Sequence, residues 1–143
     1  MEMIKILKIT VKDLQKKISL DPRRIRRVIR NVLSKEGAKL SGELTVCFVT
    51  DKEIKKLNLR YLRHNFATDV ISFCVSGDPR KYVADIAISC DTAARNAKIY
   101  GTDPKAELEL YAIHGTLHLL GYDDATPRKT SLMRKKESLY AHQ

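Results

Sequence analysis

A chain of 143 residues with 43% hydrophobic and 31% charged side chains has the composition of a soluble globular protein, long enough to bury a real core. No apolar run approaches the ~20 residues of a membrane span, which excludes a helical membrane protein. The formal net charge is +10, and it is uneven: twelve of the 27 Lys and Arg, against four of the 17 Asp and Glu, fall in residues 1–40. A basic N-terminal quarter points to a polyanionic partner such as nucleic acid.

Residues 3–10 alternate charged and apolar side chains and read as a first strand rather than as the apolar core of a signal peptide, so the expected compartment is the cytoplasm. A helix is expected over residues 22–35, with Asp21 as N-cap, Pro22 at the first helical position and Gly37 as the stop. Ile25, Val28, Ile29, Val32 and Leu33 form its apolar stripe. Arg23, Arg24, Arg26, Arg27 and Arg30 are left mostly outward. Guanidinium groups pair phosphate oxygens two at a time, so this face suits a nucleic-acid backbone.

Residues 43–49 alternate through Leu44, Val46 and Phe48 and predict a strand with one buried face. Thr50-Asp51-Lys52-Glu53 is a capping box for a short helix to about residue 61, with Ile54, Leu57 and Tyr61 inward. A basic loop covers residues 60–68. Residues 70–75 and 83–89 read as two more strands, joined by the turn signal Ser76-Gly77-Asp78-Pro79. A helix over residues 91–100 stops at Gly101. Asp103-Pro104 starts a long helix ended by Gly121, and Thr126-Pro127 opens a last helix to about residue 141. Mixed without strict alternation, these elements predict an α+β fold: one domain over residues 1–143, with a small mixed sheet of about four strands packed with about five helices, the long helix central. Cys47, Cys74 and Cys90 are too widely spaced for a zinc knuckle and are expected as free, partly buried thiols.

The long helix carries His114 and His118. Positions i and i+4 share a helix face, so both imidazoles can point at one spot. Gly121 then turns the chain, and Asp123 and Asp124 arrive within reach. Acids buried beside histidines are costly unless paired or metal-bound. Two nitrogens and one carboxylate oxygen leave a fourth tetrahedral position open, as in catalytic zinc sites. In the His-Glu-x-x-His helix of metalloproteases the glutamate is the general base; here Gly115 takes its place, so a peptidase of that kind lacks its base. What remains is a metal that polarises water and a substrate oxygen. With the basic surface, this points to phosphodiester hydrolysis, in RNA or DNA.

The run His114-Gly115-Thr116-Leu117-His118-Leu119-Leu120-Gly121-Tyr122-Asp123 resembles the signature of the YbeY family of bacterial metal-dependent endoribonucleases. Leu57-Asn58 with Tyr61, then Thr68-Asp69-Val70-Ile71-Ser72-Phe73, and Asp85-Ile86-Ala87-Ile88-Ser89, resemble its other blocks in the same order. The resemblance implies one zinc ion per chain, single-stranded rRNA as substrate, and action in rRNA maturation at the 3′ end of small-subunit rRNA and in ribosome quality control. The implied partner is rRNA in the small ribosomal subunit, and Arg23, Arg24, Arg27 and Arg30 become candidates for RNA contact.

Two positions depart from the family pattern. Its third metal ligand is a histidine, in Gly-Tyr-Asp-His; Asp124 stands there in this chain and takes the ligand role, with Asp123 as the candidate supporting it. An aspartate is shorter and harder than histidine. It makes the metal a weaker Lewis acid and relaxes selectivity toward other divalent ions. The family also has an arginine after Tyr61, where this chain has Leu62; Arg63 and Arg60 are the candidates for its role. His64 and His142 read as exposed histidines rather than ligands. The altered ligand and missing arginine motivate an alternative function, an rRNA-binding ribosome-assembly factor with a structural or weakened metal site.

Overall fold

Strands β1 (Leu7–Asp13), β2 (Gly42–Val49), β3 (Val70–Ser76) and β4 (Tyr82–Ser89) form one mixed sheet in the order β1-β2-β4-β3. The structure is a computed structural model and describes residues 6–141. β1 and β2, and β2 and β4, pair in parallel, while β3 pairs antiparallel with β4. The parallel pair β1–β2 is joined by helix α1 (Pro22–Lys35), because parallel neighbours need a crossover. β3 and β4 need only the turn through Asp78 and Lys81.

The first strand runs later than the expected 3–10. Residues 3–5 lie outside the described residues, Ile6 is not in the strand, and pairing continues to Asp13. The partner sets these bounds: Leu7 to Asp13 match Gly42 to Phe48 one for one. β1 is an edge strand, so exposed Lys12 and Asp13 extend it at little cost.

Even-numbered residues of β2 and β4 face one side. Leu44, Val46, Phe48, Ala84, Ile86 and Ile88 are buried there against α1, α3 (Cys90–Tyr100) and α4 (Pro104–Leu119). Odd-numbered residues, including Val49, Ile71 and Ala87, meet helix α2 (Asp51–Leu62) on the other face through Ile54. Helix α5 (Pro127–Ala141) docks outside α4, where Met133 and Tyr140 pack with Val32, Ile113 and Leu117. The helix starts follow the expected chemistry. Asp21, Thr50 and Asp103 accept hydrogen bonds from the amides of Arg23, Glu53 and Lys105.

Of the three thiols, Cys90 is buried and Cys47 half-buried, but Cys74 is exposed. It sits on edge strand β3 where the register shifts between Cys74 and Ser76. Cys74 shares the face of Val70 and Ser72, which Gly115 of α4 covers, but lies further along the strand.

One glycine sets the position of α4. A methyl group on Gly115 would lie 2.9 Å from Ile86 Cγ2 and 3.1 Å from both Ser72 Oγ and Val70 Cγ2. Ser72 Oγ also donates to the Gly115 carbonyl at 2.9 Å. The helix backbone therefore lies directly on the sheet, and its neighbour His114 is carried to the end of β3. Among the described residues no helix is long and apolar enough to cross a membrane.

Candidate metal centre

α4 ends in a way that both presents the histidines and returns the chain. The Gly121 amide donates to the His118 carbonyl at 3.0 Å, and the Tyr122 amide donates to the Leu117 carbonyl at 3.1 Å. This paired bonding needs a left-handed residue after the cap, and Gly121 supplies it at φ +98°. The chain reverses at once, and Asp124 comes back over the helix end.

The result is a three-residue cluster. His114 Nε2 and His118 Nε2 lie 2.9 Å apart, and His118 Nε2 lies 3.9 Å from Asp124 Oδ1. One donor atom from each of the three residues falls within 4.8 Å of the others. Ligands at zinc–nitrogen distances sit about 3.3 Å apart around a tetrahedral ion, so these separations bracket what a divalent metal requires. The donor chemistry fits too. His114 Nδ1 faces the carboxylate of Glu137 on α5, which fixes the hydrogen on Nδ1 and leaves the Nε2 lone pair aimed into the cluster.

The two histidines are driven in opposite directions. Burial lowers the pKa of His114, but the hydrogen bond and charge of Glu137 outweigh it and the net shift is upward. His118, desolvated and beside His114, is lowered. A cavity of about 240 Å³ opens over His114 and Asp124, walled by Asp69, Tyr111, Arg134 and Glu137. Burial raises the Tyr111 phenol to about 12, so it stands in that wall as a neutral donor.

A sequence profile described as endoribonuclease YbeY matches residues 10–143. The chain belongs to the YbeY family. It is 39% identical over 136 residues to an endoribonuclease YbeY of Syntrophus aciditrophicus, covering 90% of this chain and 84% of that one. It is 41% identical over 130 residues to the Amoebophilus asiaticus endoribonuclease YbeY, covering 91% and 87%. The fold matches the solution structure of TM1509 from Thermotoga maritima with a TM-score of 0.66, at 24% identity over 94% of this chain and 87% of that one. The α+β architecture with a four-stranded mixed sheet and five helices is thus a YbeY-like fold.

Not every residue singled out from the sequence reaches this cluster. Asp123 does not contact the histidines; it accepts from the Ala125 amide at 3.0 Å and pairs with Lys129 at 3.5 Å. Arg60 and Arg63 are exposed at the end of α2, where Arg63 caps the helix in a left-handed conformation, and neither lines the cavity. Arg23, Arg27 and Arg30 are exposed on α1, and Arg24 is held by Glu109 at 2.5 Å; none of the four lines the cavity. His64 is exposed and stacks on Phe66, and His142 lies outside the described residues.

Four polar residues of the cavity wall carry no mark in the sequence that points to the site: Asp69, Tyr111, Arg134 and Glu137. Asp69 lies at the entry to β3 within Thr68-Asp69-Val70-Ile71-Ser72-Phe73, where the strand pattern carries no sign of the cavity it borders. Glu137 and Arg134 come from α5, and no local spacing links that helix to the histidines. The buried acid beside the histidines is Glu137, with its side chain 17% exposed, whereas Asp124 is 53% exposed.

Proposed function

We propose that this chain is a metal-dependent endoribonuclease that cuts single-stranded rRNA, with the 3′ end of small-subunit rRNA as its target and the ribosomal small subunit as its partner in the cytoplasm. The observation that carries the reading is the convergence of His114, His118 and Asp124 on one point, at the edge of an open cavity, in a chain whose relatives are named endoribonucleases. His114, His118 and Asp124 would hold one zinc ion. Such an ion supplies Lewis-acid polarisation of a phosphodiester oxygen and of water.

The remaining roles belong to the protein. Glu137 holds His114 in the tautomer and orientation that present Nε2. The turn after Gly121 sets how closely Asp124 approaches. Asp69 and Tyr111 form the cavity wall, where a carboxylate and a phenol offer an acceptor and a donor to a bound phosphate and its water. The excess of basic residues, with a net charge of +10, draws the polyanionic substrate to the surface.

The test is direct. The purified protein is assayed for bound metal and incubated with single-stranded rRNA fragments beside His114→Ala and Asp124→Ala. Metal-dependent cleavage lost in both variants is the expected result. RNA binding that persists in both, with no cleavage by the parent, would replace the nuclease with an rRNA-binding assembly factor.

A further inference from the structure

Asp124, Thr130 and Arg134 line the cavity over the histidines and also a second, open groove of about 700 Å³ along α5. The two spaces therefore adjoin across these three side chains. Beyond the shared residues, the polar wall of the groove is Thr126, Ser131, Lys135 and Ser138. Residues three and four apart share a helix face, so positions 131, 134, 135 and 138 make one stripe that leads away from the metal cluster.

The charges of α5 divide unequally between internal and free. The helix carries Arg128, Lys129, Arg134, Lys135 and Lys136 against Glu137 alone. Lys129 is engaged by Asp123 at 3.5 Å and Lys136 by Glu36 at 3.0 Å, while Glu137 is engaged by His114. Arg128, Arg134 and Lys135 make no ion pair or hydrogen bond among the described residues, and of these Arg134 and Lys135 line the groove. Among the described residues Arg134 is also the one Lys or Arg lining the histidine cavity, and it lies there among three carboxylates without pairing to any. A guanidinium left open at a catalytic cavity, continued by a lysine and hydroxyls and with no acid beyond Asp124, has the chemistry of a phosphodiester track.

We propose that this groove carries the single RNA strand away from the cluster, with Arg134 gripping a backbone phosphate beside the one that is cut and Lys135 meeting the strand further along. This rests on reading the cluster as an RNA-cleaving centre. It moves the nearest substrate contact to α5. The arginines of α1 line neither space: Arg24 is bound to Glu109, and Arg30 lines a separate cavity with Lys39 and Arg80.

The experiment is stopped-flow fluorescence anisotropy of a labelled single-stranded RNA with the protein as purified, read before cleavage proceeds, across a series of KCl concentrations. Arg134→Ala is expected to weaken binding about tenfold, the loss of one charge-assisted contact. It should also flatten the slope of log affinity against log salt by about 0.7, the value of one single-strand phosphate. Arg134→Lys keeps the charge and should keep the slope. In cleavage assays Arg134→Ala should raise KM more than it lowers kcat. Parent-like affinity and slope in Arg134→Ala would overturn the proposal, as would a larger loss from Arg23→Ala or from Arg27→Ala alone. Binding is read apart from cleavage. A parent that binds RNA through Arg134 but never cuts it refutes the nuclease reading alone.

Discussion

Glu137 on α5 accepts a hydrogen bond from Nδ1 of His114 on α4, and this contact decides which nitrogen of His114 faces Asp124 and His118. A histidine ligand whose far nitrogen is held by a carboxylate is fixed in tautomer and ring orientation and becomes a more basic donor. The chain delivers that carboxylate from the helix after the turn, so docking of α5 on α4 is part of the site.

Replacing Glu137 with Gln or Ala should lower metal affinity by about 10–100-fold, the usual cost of removing such a support, while secondary structure is unchanged. Competition with a chromophoric chelator measures it. Glu137→Asp should recover part of the affinity. Parent-like affinity in all three variants would mean that His114 is oriented by helix packing alone.

Gly115→Ala tests why α4 sits where it does. Alanine favours a helix by about 1 kcal/mol over glycine. The added methyl, however, meets Ile86 at 2.9 Å and Val70 at 3.1 Å on a sheet that cannot retreat. Overpacking of this kind costs typically 1–3 kcal/mol. The clash should win, and thermal unfolding should shift down by a few degrees. Loss of metal affinity is expected alongside, because His114 moves with its neighbour. An unchanged or higher melting temperature would show that the helix can slide without cost.

Much of this arrangement was legible in the chain because it is local. Helix starts are written in Asp21-Pro22, Thr50 and Asp103-Pro104, and the i, i+4 histidines need only the helix period to be paired. The return of Asp124 needs only Gly121 and a short turn. What stayed hidden depends on contacts between distant elements. Glu137, Arg134 and the second function of Gly115 appear only once α5 lies on α4 and α4 lies on the sheet. The start of β1 was misplaced for the same reason, since its bounds are set by β2 and not by its own alternation. That Arg60 and Arg63 stay out of the cavity wall likewise depends on where α2 ends and how its loop is tied down by Asn58, whose side-chain amide donates to the Phe66 carbonyl at 2.9 Å.

Asp124→His asks what the aspartate changes. Asp124 is exposed and 3.9 Å from His118, so its side chain approaches from solvent on a turn with room to adjust. A longer, softer imidazole there should bind zinc more tightly and should favour zinc over manganese more strongly than the parent does. Metal competition on both proteins measures this. Equal selectivity would mean that the third position contributes little to the choice of ion.

Glu36 provides the pH test of how the turn is held. Its side chain is 9% exposed and receives hydrogen bonds from Tyr122, Tyr140 and Lys136, which join the end of α1, the turn before Asp124 and α5. Burial alone would raise its pKa, but the three donors outweigh it and the net shift is downward from 4.5. Tyr140 is itself pushed up to about 12 by burial and by Glu36, so it remains a donor throughout the working range. A carboxylate whose folded pKa is depressed adds stability that is present above its unfolded value and is lost as pH falls through the folded value. Glu36→Gln should therefore cost about 1–3 kcal/mol at neutral pH, from a weakened set of bonds around a half-desolvated lysine. The gap between parent and variant should narrow as pH falls below 4.5, where the parent carboxylate takes up its proton. Urea unfolding at a series of pH values measures it. A gap that stays constant from neutral pH down to well below 4.5 would show that shape, and not the charge of Glu36, holds the turn. Metal affinity should fall in the same variant at neutral pH, since Tyr122 anchors the turn that brings Asp124 to the histidines.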